Sequence, residues 1–317
     1  MESTEIRSEV FDYTWKQYRK WAATSKKQKS SISKWRIIVL ILMITGAICG
    51  ATAGIVDSHS TAGKLVSYVG AIALALAAFF SIQALSRDRE QRWILARSIA
   101  EACKAEIFKY RVSTSPYNTE ERDFVLRKHI DHIVGKANQI SPVILSDDEL
   151  LVDINRQPLN EESYIDQRVK QQRENYYLPA AQKNVNIMQW GRGLGIALGV
   201  VAAILSTFSS SQWAPYTTNW VAVVSTITAS LTAFLFSGRY NYLAISYQTT
   251  ADRLEQILMD WNLEVAKTGS AADFKPFVTE FENAISIENN SWVAEYKKET
   301  KSIVPQDLKE ATEGNTV

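Results

Sequence analysis

Five basic side chains follow one another on a predicted helical stretch and offer the clearest chemistry in the sequence: Arg87, Arg89, Arg92, Arg97 and Lys104. Guanidinium and ammonium groups make short, charge-assisted hydrogen bonds to phosphate oxygens. The cluster therefore predicts a site for a phosphate-bearing ligand such as a nucleotide. The alternative is that these charges fix membrane topology and contact anionic lipids, as basic residues next to apolar segments commonly do.

The sequence contains no recognisable catalytic motif. The run that begins at Gly191 and reads Gly-Arg-Gly-Leu-Gly lacks the spacing of a dinucleotide-binding loop, and no predicted strand precedes it. His129 and His132 flank Asp131, but a metal site needs further ligands that the sequence does not offer. There is also no phosphate-binding loop and no nucleophile turn of the G-x-S-x-G type. We therefore expect a protein that is not an enzyme, with no catalytic residue, metal or cofactor.

Two long apolar blocks must position these basic residues. Residues 193–238 carry no formal charge, and residues 37–86 carry only Asp57 and Lys64. Each block holds two segments of about 20 residues, and at about 1.5 Å per residue such a helix reaches across the roughly 30 Å hydrocarbon core of a bilayer. The sequence thus predicts an all-α integral membrane protein with two transmembrane helical hairpins. The four spans are placed near 36–56, 65–86, 191–210 and 219–238.

The distribution of charge predicts the topology. Eight basic residues and no acidic one lie between Lys16 and Arg36, whereas the turn at 209–219 has no charge. The positive-inside rule then puts both termini and the central segment in the cytoplasm. The formal net charge of the chain is only +1, so no overall attraction to duplex nucleic acid is expected.

The chain reads as two copies of one plan, aligned at a shift of 151 residues after each hairpin. At this shift Ala100 falls on Ala251 and Tyr110 on Trp261. In the first copy Phe11, Trp15, Tyr18 and Trp21 form one face of an amphipathic helix that precedes the hairpin. The predicted division is a first two-transmembrane domain (1–140), a linker (141–160), a second two-transmembrane domain (161–302) and a polar tail (303–317).

Glycines recur every four residues in the first span of both hairpins: Gly46, Gly50 and Gly54, and then Gly191, Gly195 and Gly199. Small residues at this spacing let another backbone approach closely. The stripes serve packing within each hairpin or form an interface between subunits around a pore, and the sequence leaves both open.

The predicted spans contain no acidic, basic or histidine side chain in their interior. Ion-coupled transporters usually need such a group, whereas a passive pore does not. Ser225, Thr228 and Thr232 share one face of the fourth span. They are candidates for a pore lining, with hydrogen bonding between helices as the alternative.

The plan resembles the SLATT family, the SMODS- and SLOG-associating two-transmembrane effectors of bacteria. The strings that carry the resemblance are 87–93 and 100–106 after the second span, 240–247 and 250–255 with Trp261 after the fourth, and 277–292 in the last helix. The resemblance covers most of residues 5–300, as a tandem pair of family domains. It implies an antiphage or conflict system, in which a membrane effector acts with a nucleotidyltransferase or a nucleotide-sensing domain, neither of which is fused to this sequence.

We therefore predict a membrane effector of a bacterial antiphage system that causes abortive infection. It is expected to assemble into a homo-oligomeric pore that depolarises the inner membrane under control of a nucleotide or oligonucleotide signal. Its partners would be the lipid bilayer, further copies of itself (four is one option, since closed rings are common), and the source or sensor of the signal. The alternative from another class is a non-conducting membrane scaffold that docks cytoplasmic partners.

Overall fold

The computed structural model describes residues 6, 8–55, 60–137, 140–208, 214–268 and 273–302, without the side chains of 54, 87, 215, 216, 289–293 and 295–302. The predicted polar tail at 303–317 lies outside the described residues. The helices are α1 (Glu9–Ile55), α2 (Thr61–Gln83), α3 (Arg87–Val112), α4 (Arg122–Gly135), α5 (Asp147–Leu151), α6 (Glu161–Tyr164), α7 (Leu178–Thr207), α8 (Ala214–Ser237), α9 (Tyr240–Thr268) and α10 (Phe274–Ser302), with π-helical segments π1 (Ile165–Lys170) and π2 (Arg173–Tyr177) between α6 and α7.

The prediction of an all-α membrane protein with four spans is confirmed. No strand occurs in the described ranges, and four helical stretches are long and apolar enough to cross a membrane. They lie at Glu9–Ala53, Thr61–Gln83, Glu161–Thr207 and Thr217–Thr268. The predicted spans fall on α1, α2, α7 and α8. The second ends three residues beyond α2, and the third and fourth include Phe208 and Gly238, one residue beyond α7 and α8. Residues 56, 209 and 210 are not described.

The chain forms two compact units, and each contains parts of both predicted domains. Among the described residues, the core unit comprises those within 1–28, 90–176 and 249–302, and the hairpin unit comprises those within 29–89 and 177–248. The division of the sequence into two successive domains therefore stays a prediction about its internal repeat.

Aromatic side chains hold the core unit together. The predicted face of α1 buries Phe11 and Trp21 completely, and Trp15 and Tyr18 pack against the same cluster. The Phe11 ring lies 5.8 Å from that of Tyr110 on α3. Because aromatic side chains remove a large area from water, these contacts dominate the burial of α1 against α3.

The equivalent positions of the second copy are also buried. Trp261 on α9 is 5% exposed, and its indole nitrogen donates to the Glu161 carboxylate at 2.8 Å. Its ring lies 5.3 Å from that of Phe277 on α10. This hydrogen bond compensates the indole N–H of Trp261 for the hydration that it loses on burial.

The stretch before α7 is not a regular α-helix. Two π-helical segments, π1 and π2, precede Leu178, and Pro179 stands in the first turn of α7. Proline has no N–H to donate, so it is tolerated at the start of an α-helix and not in its interior. Pro179 thus stands where the π-helical segments give way to the regular α-helix α7. Widened turns of this kind are often found at functional sites.

The predicted linker lies antiparallel along the first part of α1. The backbone N–H of Val143 donates to the Thr24 hydroxyl at 2.8 Å, and Trp15 donates to the Val152 carbonyl at 3.3 Å. Further along, the Arg156 guanidinium donates two hydrogen bonds to the Asp12 carboxylate, at 2.9 and 3.0 Å. A capping box of Ser146 and Glu149 starts the short helix α5 within this segment. We refer to residues 143–156 as the strap.

Replacing Arg156 with alanine should loosen the strap. The Arg156–Asp12 pair is about one-third exposed on each side, so its loss should cost about 1 kcal/mol, or about a fivefold increase in opening. Limited proteolysis with Glu-C, which cuts after acidic residues such as Asp148 and Glu149, measures this rate. Lys170→Ala removes an exposed ion pair with Asp166 and serves as the control. Equal cleavage rates in the two variants would contradict a holding role for Arg156.

Candidate functional site

A buried ion pair joins π1 to α10 in the core unit. Arg168 and Glu282 are both 0% exposed, and the guanidinium donates from Nε at 2.8 Å and from Nη2 at 2.7 Å to the two carboxylate oxygens. The Tyr164 hydroxyl donates to the same carboxylate at 2.9 Å, and Phe108 lies under the guanidinium at 4.7 Å. The Glu282 carboxylate therefore accepts three hydrogen bonds, which compensate for the hydration that it loses on burial.

The protonation of this pair follows from its surroundings. Burial lowers the pKa of Arg168, but the adjacent Glu282 carboxylate outweighs that effect, so the pKa is raised overall. Burial and then the same carboxylate raise the pKa of Tyr164 well above its usual value. Arg168 is therefore charged and Tyr164 neutral, which is the state that the hydrogen bonds need.

Lys104 on α3 extends this network. The side-chain amide of Gln172 is oriented so that its oxygen faces two donors. This oxygen accepts from Lys104 Nζ at 3.3 Å and from Arg168 Nη1 at 3.2 Å. Burial lowers the pKa of Lys104, and the positive charge of Arg168 adds to that effect. Lys104 thus connects α3 to π1 and lies next to Tyr18 on α1, 6.0 Å from the ring centre.

Arg97, one of the predicted phosphate-binding residues, is also buried. It is 8% exposed, and its Nη2 lies 3.2 and 3.3 Å from the two oxygens of Glu288 on α10. The Arg97–Glu288 pair joins α3 to α10, and the Arg168–Glu282 pair joins π1 to α10. We refer to Arg97, Lys104, Arg168, Gln172, Glu282 and Glu288 as the ionic network.

The basic residues of the predicted signal site differ in their exposure and in their partners. Arg97 and Lys104 have protein partners inside the core unit, whereas Arg92 is exposed and Arg89 is partly exposed. The side chain of Arg87 lies outside the described residues. A phosphate would reach Arg92 directly, but it would reach Arg97 only by replacing Glu288. Their role in signal binding stays a prediction.

The glycines of the two stripes fall into two groups: some face the partner helix of their own hairpin, and others face open space. A Cβ atom added at Gly46 would lie 2.5 Å from Leu74, and one at Gly191 would lie 2.6 Å from Leu235. These two glycines therefore let the paired helices of each hairpin approach. At Gly50, Gly195 and Gly199 an added Cβ meets nothing within 4 Å. Gly54 is not described beyond its backbone.

The predicted hydroxyl face of α8 lines a groove together with one open glycine. Ser225, Thr228, Thr232 and Gly199 border a groove of about 680 Å³ between α7 and α8. The hydroxyls of Thr228 and Thr232 donate to carbonyls one turn earlier in their own helix, at 2.8 and 2.9 Å. Their hydroxyl donors are thus satisfied within α8 and need no partner on another helix.

His129 lies in a small polar cluster. Its Nδ1 atom lies 3.0 Å from the Tyr117 hydroxyl and 3.2 Å from a Glu106 oxygen, and Tyr117 also donates to Glu106. Burial, followed by the Glu106 charge, raises the pKa of Tyr117. In the described part of the chain no group of three or more histidine, cysteine, aspartate or glutamate side chains is arranged to hold a metal ion.

Sequence reasoning missed Arg168, Gln172, Glu282 and Glu288. A signal for one of them was present, because Val278, Phe281 and Ile285 form a buried stripe along α10 and Glu282 stands on it. A carboxylate at a core position of a helix predicts a buried partner. The identity of that partner, 114 residues away along the chain, is not encoded locally.

Two family models match the chain. Residues 164–292 match the SMODS and SLOG-associating 2TM effector domain 1, and residues 17–124 match a protein of unknown function, DUF4231. No curated protein and no solved structure matches. The first match includes the π-helical segments, α7, α8 and most of α10, and thus Arg168, Glu282 and Glu288 of the ionic network.

Proposed function

We propose that this chain is a membrane effector of a conflict system and that it acts by forming an oligomeric pore, because residues 164–292 match the SMODS and SLOG-associating 2TM effector domain. The pore would depolarise the bacterial inner membrane and so abort infection. Opening would be controlled by a nucleotide signal from a partner nucleotidyltransferase or by a nucleotide-sensing partner.

The observation that carries the proposal is the open face of the second hairpin. Gly199, Ser225, Thr228 and Thr232 border one groove, and Gly195 precedes Gly199 by one helical turn with no side chain against it. Small residues permit close approach of another transmembrane helix, and hydroxyls suffice to line a water-filled passage. These features suit subunits that assemble around a pore, whereas a simple membrane anchor has no use for them.

Control by a signal requires two arrangements that differ in affinity for it. The ionic network supplies a two-state element, because a buried ion pair is either made or broken at a large cost. A phosphate-bearing ligand that contacts Arg92 and takes the place of Glu288 at Arg97 would release α10 from α3. Such a ligand would favour the released arrangement by the difference between its contacts in the two states.

Charge reversal tests this route. Arg92→Glu should weaken the response to the signal by tenfold or more, because a charge-assisted contact contributes about 1.5–3 kcal/mol. Arg97→Glu should abolish the response. Glu288→Gln should instead lower the signal concentration needed, because it weakens the competing partner of Arg97. Membrane insertion should be unchanged in all three variants. A normal dose response in Arg92→Glu and Arg97→Glu would remove these residues from the signal site.

The pore itself is tested in cells with a voltage-sensitive dye. The protein is induced with and without the genes next to it, and membrane potential is followed over minutes. Rapid depolarisation in at least one combination supports the pore and shows whether the neighbouring products trigger or restrain it. An intact membrane potential in every combination, with insertion verified, would favour a non-conducting scaffold that docks cytoplasmic partners.

A further inference from the structure

A second and larger groove runs along α7 and α8 in the hairpin unit. Its volume is about 1280 Å³, above the roughly 300–1,000 Å³ that is usual for compact small-molecule sites. The groove lies on the part of α7 that begins at Pro179 and continues to Ala197. It contains neither Gly195 nor the hydroxyl face of α8, so it is distinct from the groove discussed above.

The lining of this groove changes from polar to apolar along α7. Gln182, Lys183, Asn186 and Gln189 line its first part, and Gln182 donates to Asn186 at 2.7 Å. Leu194 and Ala197 line the remainder, facing Leu231 and Leu235 of α8. A ligand that fills this groove must therefore have one polar end and one long apolar end.

The length of the groove matches one leaflet of a bilayer. Ala197 follows Lys183 by fourteen residues in the same helix, which corresponds to about 21 Å at 1.5 Å per residue. Half of a bilayer with its headgroups measures about 20–22 Å. Trp190 stands between the two parts and is 81% exposed, as is usual for a tryptophan at the level of the lipid headgroups.

Charge at the polar end favours a negative ligand. Lys183 is exposed and lines the groove, and none of the described lining residues is acidic. Ten residues further along α7, in the apolar part, the floor is open, because an added Cβ at Gly193 meets nothing within 4 Å. One ammonium beside uncharged amides can bind a phosphate ester without a competing carboxylate.

We propose that this groove binds a phospholipid with an anionic headgroup. The phosphate and its headgroup lie against Lys183 and the amides of Gln182, Asn186 and Gln189. An acyl chain runs past Trp190 and Gly193 to Leu194, Ala197 and the leucines of α8. The lipid belongs to the leaflet on the side of Lys183, and the site is independent of whether the protein conducts ions.

Native mass spectrometry of the delipidated full-length protein tests the site with phosphatidylglycerol and phosphatidylcholine as probes. The wild type should prefer phosphatidylglycerol by about fivefold, the contribution of one lysine near an anionic surface. Lys183→Gln should abolish that preference. Gly193→Leu should reduce binding of both lipids, because the new side chain enters the groove from an open position.

Two matched variants serve as controls. Lys34→Gln removes another exposed lysine close to a span, and Gly135→Leu adds the same side chain at an open position of α4, outside this groove. Both should bind lipid like the wild type. An equal loss of preference in Lys34→Gln, or wild-type binding in both groove variants, would mean that lipid only surrounds the protein and would overturn the proposal. Complete displacement of phosphatidylglycerol by glycerol phosphate would also overturn it, since the acyl chain would then contribute nothing.

Discussion

Replacing Glu282 with leucine is expected to lower the free energy of unfolding of the core unit by about 3–5 kcal/mol. The substitution leaves the Arg168 guanidinium in a completely buried position without its only bidentate partner in the ionic network. Leucine cannot accept the hydrogen bond from Tyr164 either. Removing one member of a buried pair is costly because the remaining charge keeps its desolvation penalty and loses its compensation.

A matched variant on the same helix isolates the effect of burial. Glu280 forms an ion pair with Arg253 at 2.8 Å, a distance close to that of the Arg168–Glu282 pair. The side chains of Glu280 and Arg253 are, however, about half exposed. Glu280→Leu should cost at most about 1 kcal/mol, because water screens and replaces an exposed ion pair. Equal destabilisation by Glu280→Leu and Glu282→Leu would contradict the importance of the buried network.

Cys103 provides the measurement. Its side chain is 0% exposed, and burial raises the pKa of its thiol to about 12, so it should react with maleimide only when the core unit opens. In a Cys49→Ser background, Glu282→Leu should increase the labelling rate by more than a hundredfold, and Glu280→Leu by about fivefold or less.

The double variant Arg168→Met with Glu282→Leu separates two contributions of the pair. If stability only requires that no charge be buried alone, the double variant should regain most of the loss, as apolar replacements of buried pairs often do. A protein that labels slowly but no longer responds to the signal would then show that the ionic network is retained for switching. This combination connects the packing of α10 directly to the proposed control of the pore.

The spans and helices could be predicted because their signals are local. Apolar length and helical periodicity depend only on neighbours along the chain, and the stripe of Phe11, Trp15, Tyr18 and Trp21 on α1 is an example. The ionic network could not be predicted in the same way. Arg97 and Glu288 are separated by 191 residues, and no local pattern specifies which acid meets which base. The basic residues of α3 therefore looked alike in the sequence, although they differ in burial and partners.

The glycine stripes show the same limit on a smaller scale. Gly191 and Gly195 are equivalent in the stripe, each four residues before its next member. In the structure Gly191 faces Leu235, whereas Gly195 faces open space. The difference depends on where α8 lies against α7, which follows from the packing of the whole hairpin. Only the structure therefore identifies which glycines are available to another subunit.

Replacing Gly195 with leucine should abolish depolarisation while leaving the hairpin folded. The added side chain meets nothing within the chain, but it fills the strip through which a second subunit would approach. Overpacking of this kind costs about 1–3 kcal/mol per contact, which corresponds to about a 5- to 150-fold loss of association at each interface. The effect multiplies around a closed ring, so detergent-solubilised protein should change from oligomer to monomer, as measured by light scattering. Gly50→Leu should act in the same direction on the first hairpin.

Neighbouring glycines on α7 supply the controls that make this result specific. Gly191→Leu should destabilise the second hairpin by about 1–3 kcal/mol, because its Cβ would lie 2.6 Å from the Leu235 side chain, which would have to move. Gly193→Leu places the same side chain two residues away, in an open position on a different side of the helix, and should preserve both oligomer and depolarisation.

If Gly195→Leu kept its oligomeric mass and still depolarised the membrane, the open stripe would face lipid and the subunit interface would have to lie elsewhere. Loss of depolarisation with an unchanged oligomer would instead place Gly195 in the conducting path, since the leucine would then obstruct a ring that still forms.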